Sequence, residues 1–183
     1  MKATEQLISE HADILQMLEV LEKIANKLEN CEKINPLHLE AILDFLATFV
    51  DKCHHGKEER FLFPALTVKG IPKEGGPIGI MLAEHESGRN FIKRLSRAIS
   101  DYRNGNYTVA YEIITNTRSY ISLLNQHILK ENNILFRMAD NKLSATEQTF
   151  LIEEFATLER TEIGPEKSLM YRQILLELKD IYQ

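Results

Sequence analysis

Six residues of this chain put a metal-binding side chain where a helix ought to be apolar. His11 falls between Leu7 and Ile14, and His85 between Met81 and Ile92. His54 and Glu58 fall between Val50 and Phe61, and His127 and Glu131 between Leu124 and Ile134. Residues four apart share a helix face, so each His-x-x-x-Glu pair can converge on one point. A single histidine on an apolar stripe is usually a core residue bonded to a backbone carbonyl. A single glutamate there usually lies at the helix edge. Buried carboxylates are costly unless they are paired or bound to a metal. Six such residues on four helices would need six separate explanations, and one two-metal site accounts for all of them.

An internal repeat supports this reading. The run HHGKEERFLF (54–63) matches HILKENNILF (127–136) at His, Lys, Glu, Leu and Phe. The pair Glu10-His11 recurs as Glu84-His85, and both offsets are close to 73 residues. The chain therefore reads as one helical hairpin used twice, each copy giving two histidines and one glutamate. Four imidazoles and two carboxylates suit iron, manganese or zinc, and the lack of thiolates disfavours an iron–sulfur cluster. Two nitrogens and two oxygens per ion leave an octahedral metal with open positions for water, an oxo bridge or a small gas. That is the layout of a redox-active pair rather than of a closed structural zinc site.

The elements that must position these residues are long helices. The first spans about Thr4 to Asn30, with Leu7, Ile14, Leu18, Leu21, Ala25 and Leu28 on one stripe. Asn35-Pro36 opens the second, which runs to about Leu66 with Leu43, Ala47, Val50, Phe61 and Ala65 in line. A loop rich in Gly and Pro, Lys69 to Gly79, has no phosphate-binding spacing. The third helix ends near Arg103, and its stripe is Ile78, Met81, Ile92, Leu95 and Ile99. The fourth runs to about Ala139 through Ile113, Tyr120, Leu124, Ile134 and Met138. Short connections make an all-α, up-down-up-down four-helix bundle the expected packing over residues 1–140. Residues 141–183 read as a C-terminal helical tail, about Ala145 to Glu159 and Glu166 to Tyr182, opened by a capping box at Ser144 and Glu147. The tail is expected to pack on the bundle or on a partner.

Composition narrows the classes. With 44% hydrophobic and 27% charged residues, the chain has the balance of a soluble globular domain. A net charge of -5 and no basic run argue against nucleic acid. No apolar stretch approaches a membrane span, and the opening MKATEQLISEHADIL has no signal-peptide h-region. Two thiols, Cys31 and Cys53, cannot frame a disulfide scaffold, so a cytoplasmic location is expected. An acidic surface and an amphipathic tail allow a homodimer without requiring one.

The pattern His, His-x-x-x-Glu, His, His-x-x-x-Glu, with the runs KEERFLFPAL and GPIGIMLAEHE, resembles the hemerythrin-like family, also called the HHE cation-binding domain. The resemblance covers about residues 1–140 and implies a non-haem di-iron centre. His11 and His54 would bind one iron and His85 and His127 the other, with Glu58 and Glu131 bridging. Oxygen-carrying hemerythrins have a further histidine where this chain has Met81, one turn before His85. The departure points away from simple oxygen carriage and toward members linked to nitrosative and oxidative stress and to repair of iron–sulfur centres. Three functions follow: binding or sensing a diatomic ligand (oxygen or nitric oxide) or handling iron under stress; oxidoreductase turnover of peroxide, nitric oxide or oxygen; or a structural metal in an interaction scaffold.

Other residues read as less central. His55 and Glu59 form a second His-x-x-x-Glu pair, but an α-helix turns them about 100° off the stripe, so they are expected at the surface. His38 is expected to be solvated, and Cys53 to be a buried small residue. Of the tyrosines considered as donors near the metals, Tyr107, Tyr111 and Tyr120, only Tyr120 shares the inward stripe. Gly88 sits about one turn past His85, where room for a small ligand or close helix packing would each explain it.

Overall fold

The computed structural model describes residues 2–183, all the elements of which are helical. Helix α1 (Ala3–Glu29) buries the whole expected stripe from Leu7 to Leu28. In α2 (36–68) the Asn35 side chain accepts from the Leu37 backbone N–H and Pro36 takes the first helical position. This rod is not uniform. Pro36–Asp44 and Phe63–Val68 are α-helical, whereas Phe45–His55 and Glu58–Leu62 take the wider π turn. Helix α3 (Pro77–Arg103) begins inside the stretch expected as loop, because Pro77 occupies a first position that suits it. The fourth rod, α4 (107–142), opens with a 3₁₀ turn at Tyr107–Val109 and has a π turn at Glu131–Leu135. Helices α5 (Ala145–Glu162) and α6 (Pro165–Ile181) complete the chain, α5 opening on the Ser144–Glu147 capping box.

Helix α1 packs on α4, α4 on α3, α3 on α2, and α2 back on α1. Lys2 and Thr4 bond Asp140, while Arg118 bonds Glu22, Asn26 and Glu29, so α1 and α4 run antiparallel. The tail lies on α1 and α2. Gln148 accepts from the Ala3 backbone N–H, and the Tyr171 hydroxyl donates to Asp44 at 2.8 Å. His38 is half-buried rather than solvated, its Nδ1 2.7 Å from the Tyr182 hydroxyl, because the end of α6 covers it. No helix among the described residues is long and apolar enough to cross a membrane.

Two of the expected stripes are displaced by one residue at matching places. Phe61 and Ile134 were the anchors expected after the two glutamates, but Leu62 and Leu135 are the buried ones, and Ile134 is 53% exposed. Before the first π stretch the inward line lies one residue earlier than expected, with Ile42 and Leu46 buried and Leu43 and Ala47 half-buried; past Glu58 it lies one residue later, with Leu66 buried and Ala65 half-buried. A π turn bonds i to i+5, so each residue advances by less than the α-helical 100° and the inward line drifts.

The apolar core is split in two. One block runs from Ile14 through Leu46, Val50, Leu95 and Leu124, and includes Tyr171 and Leu175 of α6. The other holds Leu7, Leu62, Leu66, Met81, Leu135 and Phe136, with Leu151 and Phe155 of α5. Each buried Leu or Ile contributes about 1.5–3 kcal/mol relative to exposure. Between the blocks lies a single polar layer, composed of the histidines and glutamates singled out above.

Candidate metal centre

All six expected residues meet in that layer, each with no more than 1% of its surface exposed. They form two matching halves. His11 and His54 face one another with their Nε2 atoms 2.9 Å apart, and His85 and His127 with theirs 3.2 Å apart. Each carboxylate reaches one histidine of each pair. Glu58 Oε1 lies 3.7 Å from His54 Nε2, and its Oε2 3.4 Å from His85 Nε2. Glu131 Oε2 lies 3.2 Å from His11 Nε2 and 3.3 Å from His127 Nε2. Adjacent donors of an octahedral ion bound at about 2.1 Å stand about 3 Å apart, close to most of these separations.

The outward nitrogens are all engaged. His54 Nδ1 meets Glu10 at 2.9 Å, His127 Nδ1 meets Glu84 at 3.0 Å, His85 Nδ1 meets Glu59 at 2.7 Å, and His11 Nδ1 meets the Asn132 amide oxygen at 2.8 Å. Donation from Nδ1 leaves the lone pair of a neutral ring on Nε2, aimed inward. Glu10 and Glu84 are in turn ion-paired with Lys57 and Lys130, one lysine per repeat. Lys57 is fully buried and also meets Glu159 of α5 at 3.1 Å, so the tail closes this side of the network.

The electrostatics show what the layer lacks. All four oxygens of Glu58 and Glu131 are buried without a hydrogen-bond partner. Burial and the neighbouring Glu131 lift the Glu58 carboxyl to about 7, and burial lifts Glu131 to about 8. Burial pushes His11, His54 and His127 down. His85 is the exception: burial pulls it down, but Glu58 and Glu59 outweigh that and hold it at about 9. His85 thus holds a proton in the metal-free layer, and the orphaned carboxylates beside the lone pairs of the other imidazoles form a site that favours positive charge, with a donor set that fits divalent first-row metals.

Two donor groups converge closely enough for an ion, and they are not equivalent. One is His11, His54, Glu58 and Glu131; the other is His55, Glu58, His85 and His127. His55 therefore corrects the surface expectation. It is 3% exposed, and its ring stacks on His85 with centroids 3.8 Å apart. The π turn that ends on His55 is the physical reason, since it narrows the angle between His55 and the inward line. Glu59 is half-buried rather than at the surface, holding His85 from outside. Asn132, its counterpart in the second repeat, holds His11 in the same way.

The remaining candidates are placed as follows. Cys53 is buried, as expected, and burial pushes its thiol up to about 12. Tyr120 is buried with its hydroxyl unpartnered, while Tyr107 and Tyr111 are exposed. Met81 lies in the apolar block beyond the layer. A Cβ on Gly88 would meet the Tyr120 ring at 3.6 Å, an ordinary contact, so close packing does not demand glycine there. Glu10, Glu84, Lys57 and Lys130 were not recognised as parts of the site, although their recurrence in both repeats was visible.

Comparison with known proteins agrees with this geometry. The family model for the hemerythrin HHE cation binding domain matches residues 2–139. The iron-sulfur cluster repair protein YtfE of Yersinia pestis (strain Pestoides F) is 29% identical over 130 residues, covering 69% of this chain and 56% of that protein. The protein of the same name from Yersinia pseudotuberculosis serotype IB (strain PB1/+) has the same identity and coverage. The chain thus spans about half the length of these curated relatives, and no solved structure matches it. The matched span holds every residue of the polar layer except the Glu159 contact, and the chain belongs to the hemerythrin HHE cation-binding domain family.

Proposed function

We propose that this chain holds a non-haem di-iron pair and uses it to bind or sense a small diatomic ligand, oxygen or nitric oxide, in iron or oxidative-stress handling. His11 and His54 hold one iron, His85 and His127 the other, and Glu58 and Glu131 bridge them. Manganese and zinc suit the same donors. The observation that carries this reading is the set of four unpartnered carboxylate oxygens between two opposed imidazole pairs. The name of the relatives, which speaks of iron–sulfur cluster repair, favours iron and a stress role. Residues 1–140 serve as the metal-binding unit, an up-down-up-down bundle, and 141–183 as a tail that braces it, in a protein that works in the cytoplasm.

Metal analysis of protein purified without added iron tests the centre directly. Close to two irons per chain are expected, and His54→Ala and Glu131→Ala should each lose most of that metal. One zinc per chain, or unchanged iron in both variants, would overturn the assignment. Anaerobic reduction followed by exposure to oxygen or nitric oxide then tests the use. A stable, reversible optical change is expected, whereas consumption of gas over many cycles would make the protein an oxidoreductase.

A further inference from the structure

Three of the four facing histidines rest on a carboxylate, and two of those carboxylates, Glu10 and Glu84, rest on a lysine. Only one of the two lysines is covered. Lys57 is fully buried under α5, whereas the side chain of its counterpart in the second repeat, Lys130, is 36% exposed. We infer that Glu159 of α5 is a positioning residue for His54, so that docking of the tail and metal binding in the layer reinforce one another. The inference rests on the metal-binding reading above, whichever divalent ion is held.

An unbroken line of contacts joins the tail to the layer. Glu159 Oε2 lies 3.1 Å from Lys57 Nζ, the same Nζ donates to Glu10 Oε1, and Glu10 Oε2 lies 2.9 Å from His54 Nδ1. Helix α6 joins the outer end, where the Ser168 hydroxyl donates to Glu159 Oε1 at 3.3 Å. A buried ammonium depends on its partners, and removing one of them is costly. With Glu159 in place, Lys57 is held against Glu10 and Glu10 against His54, which fixes the ring with Nε2 inward. Without α5, water reaches Lys57, and its grip on Glu10 weakens to that of an exposed ion pair.

The surface under α5 is shaped for this approach. A Cβ on Gly56, the residue before Lys57, would stand 3.2 Å from Leu158 Cδ2, the residue before Glu159. The bare backbone lets α5 sit close against the lysine. The residue matching Gly56 in the second repeat is Leu129, which is 53% exposed. Arg60 and Glu162 join the same two helices at the rim, 2.9 Å apart, and take no part in the line to His54. Linked equilibria are reciprocal: the factor that docking of α5 adds to metal affinity is the factor that metal adds to docking. Occupancy of a buried centre is thereby read at the surface as a firmer or looser tail.

Chelator competition for ferrous ion or zinc, on the full chain, tests this as a double-mutant cycle. Glu10→Gln removes the outer partner of His54 and should cost about 10–100-fold in affinity. Glu159→Gln, two contacts further out, should cost about 3–10-fold in the parent and nothing further in the Glu10→Gln background. Glu162→Gln removes only the rim pair and should leave affinity unchanged. Hydrogen exchange reads the linkage in the other direction. In the parent, bound metal should slow the amides of α5 between Leu151 and Glu162 by about the same 3–10-fold, and in Glu159→Gln it should leave them unchanged. Equal losses from Glu159→Gln and Glu162→Gln, or the same loss from Glu159→Gln in both backgrounds, would make Glu159 a packing residue only. Exchange in the parent that ignores metal would remove the linkage. In each of these cases the metal assignment stands, whereas a parent that binds no metal takes both down. If melting curves show that apo Glu159→Gln does not fold, the exchange measurement on the parent decides.

Discussion

Each of the four facing imidazoles spends its Nδ1 on an outer partner, so the inward Nε2 atoms have nothing to share but a cation. Truncating a glutamate and truncating a histidine therefore act on the same equilibrium. Protons compete with metal for the two carboxylates. Glu58 and Glu131 are raised from 4.5 to about 7 and about 8, chiefly by burial, so the folded chain holds these protons more tightly than the unfolded one. Their contribution to the stability of metal-free protein is present below pH 4.5 and is lost as the pH rises through about 7 to 8. Metal binding needs the ionised form and releases the protons. Ferrous or zinc affinity, measured by chelator competition, should fall at least tenfold per unit as pH drops from about 8 to about 6. A flat profile over that range would remove these carboxylates from the coordination sphere.

At the scale of the element, the π turns decide which side chains reach the layer. Glu58 and Glu131 each begin such a turn, and in both repeats the residue buried next is Leu62 or Leu135 rather than the neighbour that strict α-helical spacing selects. The longer π stretch ending at His55 delivers a second histidine to the interior. Helix α3 offers a contrasting case at Gly88. A methyl group there finds only the edge of Tyr120 and, at 4.0 Å, Leu123. Alanine also recovers the helix propensity that glycine forgoes. Gly88→Ala should therefore stabilise the metal-free protein by about 0.5–1 kcal/mol in denaturant titrations. Destabilisation of similar size would mean that the bare backbone is required beside the unpartnered Tyr120 hydroxyl.

For the whole molecule, the polar layer is a seam between two apolar blocks, and the tail fastens both. Helix α5 adds Leu151 and Phe155 to one block and meets Lys57 through Glu159, while α6 adds Tyr171 and Leu175 to the other. A seam of this kind costs stability unless it is filled, since its carboxylates and lone pairs oppose burial. Metal bound only to the folded state adds about 4 kcal/mol when its free concentration is about 1,000 times the dissociation constant. Stripping the metal with a chelator should then lower the melting temperature by about 10 °C for a domain of this size. An unchanged melting temperature after verified metal loss would show that the layer is already satisfied by its own protons.

Much of the layer was legible in the residues, because a glutamate or histidine inside an apolar stripe is conspicuous and the same insertion occurs twice. The all-helical class, the four long rods and the convergence of His11, His54, Glu58, His85, His127 and Glu131 follow from side-chain type and a period near four. What sequence reasoning missed has a common cause in angle and neighbour. His55 and Leu62 were misplaced because a π turn changes the advance per residue without any mark in composition. Glu10, Glu84, Lys57 and Asn132 gained roles only when the helices were set side by side, since a hydrogen bond between rods depends on their relative rotation and height. Periodicity along one helix determines which residues face inward to first order; only packing between helices decides which nitrogen meets which carboxylate.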